Sequence, residues 1–290
     1  MAGRAWWSRS RPPHAAERLR DTTAVAGPTV SLTFDNLGEA AELERGEWPE
    51  EQPVGEHFSV RECLPEVLGM LAAEGLAATF FVEGLNGELY PDALAGIAAA
   101  GHEVACHGWR HERWREVEDE RGVLARSRDA LGGPVGFRPP GGPLGPRTAE
   151  RLGELGYRYC SPPGDRAGRL GGVAVLPFRW ALVDACFYVP ALGELRSGEA
   201  EPAMGPAALR DAMLAELDAQ AGADGHLTLV FHPFLLTADA DAPAALAAVL
   251  ARVGELQRHG ALRCVLMRDA AEALPAGAGP PSLDESSWDG

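Results

Sequence analysis

No stretch of the chain approaches the ~20 consecutive apolar residues that a helix needs to cross a bilayer. The N-terminus, MAGRAWWSRSRPPHAAERLR, lacks the run of about 7 to 15 apolar residues that a secretory leader carries. A soluble, cytoplasmic protein is the expectation. Basic side chains are in the minority, 26 against 42 acidic ones, for a formal net charge of −16. Such a chain repels phosphate backbones and anionic headgroups over about 8 Å at physiological salt, so neither nucleic acid nor a membrane surface is an expected partner. Paired cysteines are missing as well. Cys63, Cys106, Cys160, Cys186 and Cys264 stand singly with no C-x-x-C, and read as small core residues in a reducing compartment. No internal repeat recurs at a fixed period.

What is present is a core. At 290 residues and 46% hydrophobic content the chain can bury one large α/β domain of the barrel kind, or two small ones. Short β-branched or aromatic runs alternate with Ala/Leu/Glu segments of helical period, the signature of βα units on a mostly parallel sheet. Eight strands are expected, at 29–34, 77–82, 103–106, 135–137, 157–160, 173–176, 227–231 and 262–266. Five helices stand out, beginning with 59–75, where Ser59 is a candidate N-cap and Gly75 closes the helix; Pro near the start and Gly at the end recur in four of the five. Residues 1–27 and the acidic 275–290 tail read as loose ends around a single domain, 28–274. The segment 36–58, with seven Glu, two Pro and three Gly, is too long for an ordinary βα connection and is expected to be a solvated loop or a lid.

In a parallel α/β sheet or barrel, binding and catalytic groups sit at the C-terminal ends of the strands. Here the first strand ends in Asp35, the third runs into His107, the fourth into Arg138 and LTLVF into His232. Four polar or ionisable groups therefore share one rim. In CHGWRHERW, His107 and His111 are four apart; on a helical turn their imidazoles share a face and can share a divalent metal. A lone acid after a strand is usually a turn residue or cap and a lone histidine usually a core residue, so it is the convergence that points to chemistry. Trp109, Trp114 and Trp180 are candidates either for stacking on a substrate ring or for packing at the rim.

The ordered set TFDN, HGWRH, GFRPPGG, RWALVD and LVFHP resembles the five motifs of the polysaccharide deacetylase family, the NodB-homology domain of carbohydrate esterase family 4, over roughly residues 28–270. Within it, EGLN and GHEVACHGWRHERW are more similar to the branch with short peptidoglycan deacetylases and cyclic-amide hydrolases. The resemblance implies a distorted (β/α) barrel of seven or eight parallel strands that hydrolyses a C–N bond other than a peptide bond. It implies a divalent metal, zinc, at His107 and His111, with Asp35 as general base and His232 as general acid. Arg138 then holds the base, Asp184 orients the histidine, and the backbone N–H of Gly141 faces the oxyanion. A saccharide or small-molecule substrate follows, with Trp109 and Trp180 as its candidate contacts.

Two positions depart from the family pattern. The first motif ordinarily supplies two carboxylates, base and third metal ligand, whereas this chain has Asp35 followed by Asn36. An amide oxygen can coordinate but carries no charge, so zinc affinity should drop; Glu39 is a possible substitute ligand. Asp184 is followed by Ala185 where a groove-lining tryptophan is common, which weakens the case for a polymeric substrate. The expected activity is therefore metal-dependent deacetylation of an N-acetylated sugar or related small amide. The rivals are metal-independent opening of a cyclic imide or ureide, and a non-catalytic carbohydrate-binding protein.

Overall fold

The computed structural model describes residues 27–199 and 202–287. All but Gly27 of the segment expected to be loose at the N-terminus lies outside them. Eight parallel strands form one curled sheet: β1 (Pro28–Asp35), β2 (Thr79–Val82), β3 (Glu103–Cys106), β4 (Gly136–Phe137), β5 (Tyr159–Cys160), then, beyond the short β6 (Gly164–Arg166) and β7 (Gly168–Leu170), β8 (Val173–Val175), β9 (Gly225–Phe231) and β10 (Arg263–Cys264). Strand β9 runs along one edge of β1, and the other edge is shared between β10 near its start and β2 near its end. From β2 the sheet continues through β3, β4, β5 and β8 to β7, which is antiparallel. Two further parallel bridges, Pro163 to Phe178 and Val183 to Val230, carry the curl back to β9, giving the distorted barrel. Among the described residues no helix is long and apolar enough to cross a membrane.

The two-residue period of β1 sets up the site. Val30, Leu32 and Phe34 point outward and pack beneath the helices Leu64–Glu74, Pro206–Ala221 and Ala242–Arg258. Phe34 lies 5.0 Å from Phe80 and 5.6 Å from Phe231, ring centre to ring centre. Each such buried side chain contributes roughly 1.5–3 kcal/mol. The alternate residues Thr29, Ser31, Thr33 and Asp35 are equally buried but polar, so they face the barrel interior. Strand alternation thus delivers Asp35 to the mouth of the barrel.

The connection 36–58 is more ordered than its composition suggested. It holds the helix Ala40–Arg45 and then runs into a wide turn of helix, Ser59–Cys63, that leads into Leu64–Glu74. Ser59 does not cap that helix: it lies inside the wide turn, and its hydroxyl accepts from the Gly38 N–H at 2.9 Å. Gly75, in contrast, takes the left-handed conformation (φ 65°) that closes the helix. The end of the chain differs from the loose tail expected. There β11 (Ser282–Leu283) pairs antiparallel with β6, and Glu285 reaches Arg115.

Candidate active site

Six of the eight parallel strands pass a polar side chain to the rim within one residue of their ends: Asp35 from β1, Glu83 from β2, His107 from β3, Arg138 from β4, Ser161 from β5 and His232 from β9, with Asp184 following the Val183 bridge. The backbone ladder continues through them, since His107, Arg138, Ser161 and Asp184 donate their N–H groups to Val82, Cys106, Phe137 and Val230. They are held as rigidly as the sheet.

Two clamped pairs dominate. Arg138, 1% exposed, donates from Nη1 to Asp35 Oδ1 at 2.7 Å and to Thr33 Oγ1 at 2.8 Å, and from Nη2 to Ser161 Oγ at 2.9 Å. Its guanidinium lies 4.1 Å from the Phe81 ring centre and 5.1 Å from that of Phe178. Asp35 therefore meets a charge fixed by packing. In the second pair Asp184 takes three hydrogen bonds. His232 approaches Oδ1 through Nδ1 at 2.6 Å and Oδ2 through its backbone N–H at 2.7 Å, and the Ala185 N–H also donates to Oδ1. This arrangement puts a proton on His232 Nδ1 and turns Nε2 outward. Burial by itself lowers the His232 pKa, but the charge and hydrogen bond of Asp184 outweigh it, so the imidazole titrates above its ordinary value.

His107 and His111 meet with ring centres 5.0 Å apart, though not on a helix. They flank a tight turn in which Gly108 (φ 76°) and His111 (φ 66°) are left-handed. Glu112 holds that turn, accepting from the N–H groups of Trp109 at 2.9 Å and Arg110 at 3.0 Å. His107 Nδ1 bonds to the Arg138 carbonyl at 2.9 Å, which leaves Nε2 for a ligand. Burial, the largest influence, pushes the His107 pKa down to about 3, and His111 is lowered too, first by burial and then by His107. Neutral imidazoles are the form a metal takes.

Asn36 Oδ1 is buried without a hydrogen-bond partner on the same cavity. Among the described residues, Asn36 (φ 57°) and His111 are the two non-glycine positions with positive φ. Such conformations cost of order 1–3 kcal/mol each and persist where the surrounding structure enforces them. No group of three or more His, Cys, Asp or Glu among the described residues could hold a metal ion. The donor set that fits a divalent cation is instead two imidazoles and the Asn36 amide oxygen. Glu39 does not join it. Fully buried, it binds the Gly55 N–H and the Tyr90 hydroxyl, pinning the 36–58 connection down.

These groups surround a cavity of about 230 Å³ lined by Asp35, Asn36, His107, His111, Arg138 and His232, with Gly141 and Gly142 on one side. Trp180 lines it as well; Trp109 packs instead beneath Arg126, whose guanidinium is 3.5 Å from its ring centre, and Trp114 is a core residue bonded to Thr148. Sequence reasoning passed over Glu83, Ser161, Glu112, Glu42 and His57. The first two end strands and were open to the same rim rule. Burial pushes the Glu83 carboxyl up to about 8, with further push from Asp35 and Glu112. The other three act through the folding of loops, which no spacing announces.

The polysaccharide deacetylase family model matches residues 23–160. A peptidoglycan deacetylase of Helicobacter pylori is 31% identical over 109 residues, 35% of this chain and 37% of that protein. The matched part spans only about a third of the length of such curated relatives. A Mycobacterium smegmatis structure assigned to the polysaccharide deacetylases superposes with a TM-score of 0.71 at 27% identity, covering 96% of this chain and 99% of the other. An allantoinase shares the fold, with a TM-score of 0.61 at 20% identity over 91% and 94% of the two chains. The motif order, the curled parallel sheet and these matches agree in a likeness to the polysaccharide deacetylases, whose family model covers just under half of the chain.

Proposed function

We propose that the protein hydrolyses a C–N bond other than a peptide bond, removing the acyl group from an N-acetylated sugar or related small amide. The observation that carries this reading is the convergence of two independently clamped pairs, Arg138–Asp35 and Asp184–His232, on one cavity. Asp35 accepts a proton from water as the water oxygen adds to the amide carbonyl. The backbone N–H of Gly141 meets the charge that develops on the carbonyl oxygen. His232 then gives its Nε2 proton to the departing nitrogen, the C–N bond breaks, and a carboxylic acid and an amine leave. The proton held by Asp35 passes through solvent to restore His232. A non-catalytic binding protein would have no need of a base, its clamp and an acid held together.

Bound at His107, His111 and Asn36, a divalent cation such as zinc would polarise the carbonyl and lower the pKa of a water. With no anionic ligand the site would be a weak one. The missing carboxylate favours a second reading, in which Asp35 and His232 open a cyclic imide or ureide without metal. Elemental analysis of the purified protein, followed by turnover of N-acetyl sugars and cyclic imides with and without chelator, separates the two. In either case Asp35→Asn should lower kcat/KM by about 10²- to 10⁴-fold. Full turnover by that variant would remove Asp35 as the base.

A further inference from the structure

The EGLN stretch, residues 83–86, carries part of the resemblance, yet the reaction above uses none of it. It ends β2 and opens the helix Gly84–Leu89, and it sits between the two turns that carry the donor set. On one side the Gly84 N–H donates to the Gly108 carbonyl at 2.9 Å and the Leu85 N–H to the Trp109 carbonyl at 3.0 Å, which ties it to the turn that brings His107 and His111 together. Only glycine allows this approach, because a Cβ on Gly84 would come within 2.6 Å of the Trp109 ring and 2.7 Å of the Ser127 backbone. On the other side lies the turn that follows Asp35. Gly38 (φ 95°) rests directly on the Asn86 amide; a Cβ on it would lie 2.6 Å from Asn86 Oδ1 and 2.9 Å from the Tyr90 ring. The Asn86 side chain is itself fixed, since Nδ2 donates to Glu83 Oε2 at 3.0 Å and both residues are at most 1% exposed. Neither Glu83 nor Asn86 lines the cavity, so neither is in reach of a substrate.

We propose that Glu83 and Asn86 are positioning residues that act through Gly38 to hold the Asn36 amide oxygen opposite His107 and His111, and so preform the cation site. This rests on the metal-dependent form of the reading above. Three neutral donors offer a cation no charge, so affinity has to come from donors already in place. Asn36 is left-handed (φ 57°) and lies two residues before Gly38. A shift of that turn would carry its amide away from the imidazoles, which are anchored at a different strand end. One short, buried piece of chain in contact with both turns removes that freedom.

Zn²⁺ binding is measured on the full-length protein by competition with a chelating dye, and Co²⁺ binding by its visible spectrum, which reports ligand geometry. The wild type is expected to bind both. Asn36→Gly, which keeps the left-handed backbone and removes the amide, should bind Zn²⁺ more weakly. Asn86→Ala and Glu83→Ala should each weaken Zn²⁺ binding about tenfold or more, as lost supports of metal ligands do, and should move the Co²⁺ spectrum toward that of Asn36→Gly. Burial pushes the Glu83 carboxyl up to about 8, so at neutral pH it is the uncharged acid, which glutamine matches in shape. Glu83→Gln keeps an oxygen to accept from Asn86 Nδ2 and should bind within about twofold of the wild type. Added to Asn36→Gly, Asn86→Ala should weaken binding no further, because the amide it positions is already gone. If Asn86→Ala fails to fold, Gly38→Ala, at a half-buried position, forces the same contact apart from the other side and should weaken binding likewise. Zn²⁺ affinity unchanged in the variants that fold, a further loss on the Asn36→Gly background, or Glu83→Gln as weak as Glu83→Ala would overturn the proposal, while wild-type binding that depends on Asn36 keeps the metal reading. A wild type that takes up neither ion would overturn the metal reading, and the proposal with it.

Discussion

At the scale of single residues, Asp35 and Asn36 show how much a strand end reveals. The alternation of SLTFD, polar inward and apolar outward, made Asp35 legible as a group at the barrel mouth, and Arg138, His107 and His232 followed from the same rule. The role of Asn36 was legible only as a departure. In the structure its Oδ1 is buried without a hydrogen-bond partner and its backbone is left-handed, which suits the uncharged donor proposed above. Asn36→Asp adds a carboxylate there, and divalent metal binding measured by competition with a chelating dye should tighten by at least tenfold. Unchanged affinity would mean that no metal sits against this residue. The Asp184–His232 pair makes a second prediction. As the proposed general acid His232 must be protonated to act, and its pKa is raised, so activity is expected to hold below that pKa and to fall as pH rises through it; the pair's contribution to stability is lost across the same window. In Asp184→Asn the largest raising influence goes, the smaller one of Asp35 remains, and the lowering effect of burial stays. The alkaline limb of kcat/KM should therefore move to lower pH, and an unshifted limb would separate His232 from proton donation.

At the scale of elements, helix periodicity and strand composition located the regular pieces, but the turn that brings His107 and His111 together was invisible to both. The spacing of His107 and His111 suggested a helical face; the structure has a tight turn whose conformation depends on Glu112. The helix Glu120–Ala130 was missed for a related reason. Its buried side chains are few, so the apolar period is faint, and its start is set by Asp119, whose carboxylate accepts from the Gly122 N–H at 2.9 Å. Glu39 is the corresponding case in the 36–58 connection, an acid near the metal motif that is spent on holding a loop. Glu112→Ala should cost about 0.5–2 kcal/mol in denaturant unfolding, as lost caps do, and should weaken metal binding although Glu112 donates nothing to the metal. Loss of stability with metal affinity unchanged would show that the turn keeps its shape without this carboxylate.

At the scale of the whole molecule, the barrel closes through weak points: two-residue strands β4, β5 and β10, and single bridges at Phe178 and Val183. Eight parallel strands could be counted from composition because each is a short apolar run between turn residues. The closure could not, because a single bridge leaves no periodic trace in the sequence. The same holds for the C-terminal segment, whose Gly, Pro and acidic composition suggests a loose end. Instead Leu283 packs against the cluster around Phe137 and Trp114, β11 pairs with β6, and the Asp284 N–H donates to the Pro163 carbonyl next to the Phe178 bridge. The segment thus braces the stretch where the sheet is thinnest and where Phe178 meets Arg138. A chain ending at residue 274 should fold, since the main apolar cluster joining β1, β2 and β9 to their helices lies elsewhere. It should nevertheless melt at a lower temperature and lose kcat, as the wall carrying Phe178 loosens and Arg138 holds Asp35 less firmly. Thermal unfolding and steady-state kinetics on the truncated protein test both parts. An unchanged melting temperature would make the tail a passive passenger on the rim; a lower one with kcat preserved would show that the Arg138–Asp35 clamp is held by β1 and β4 alone.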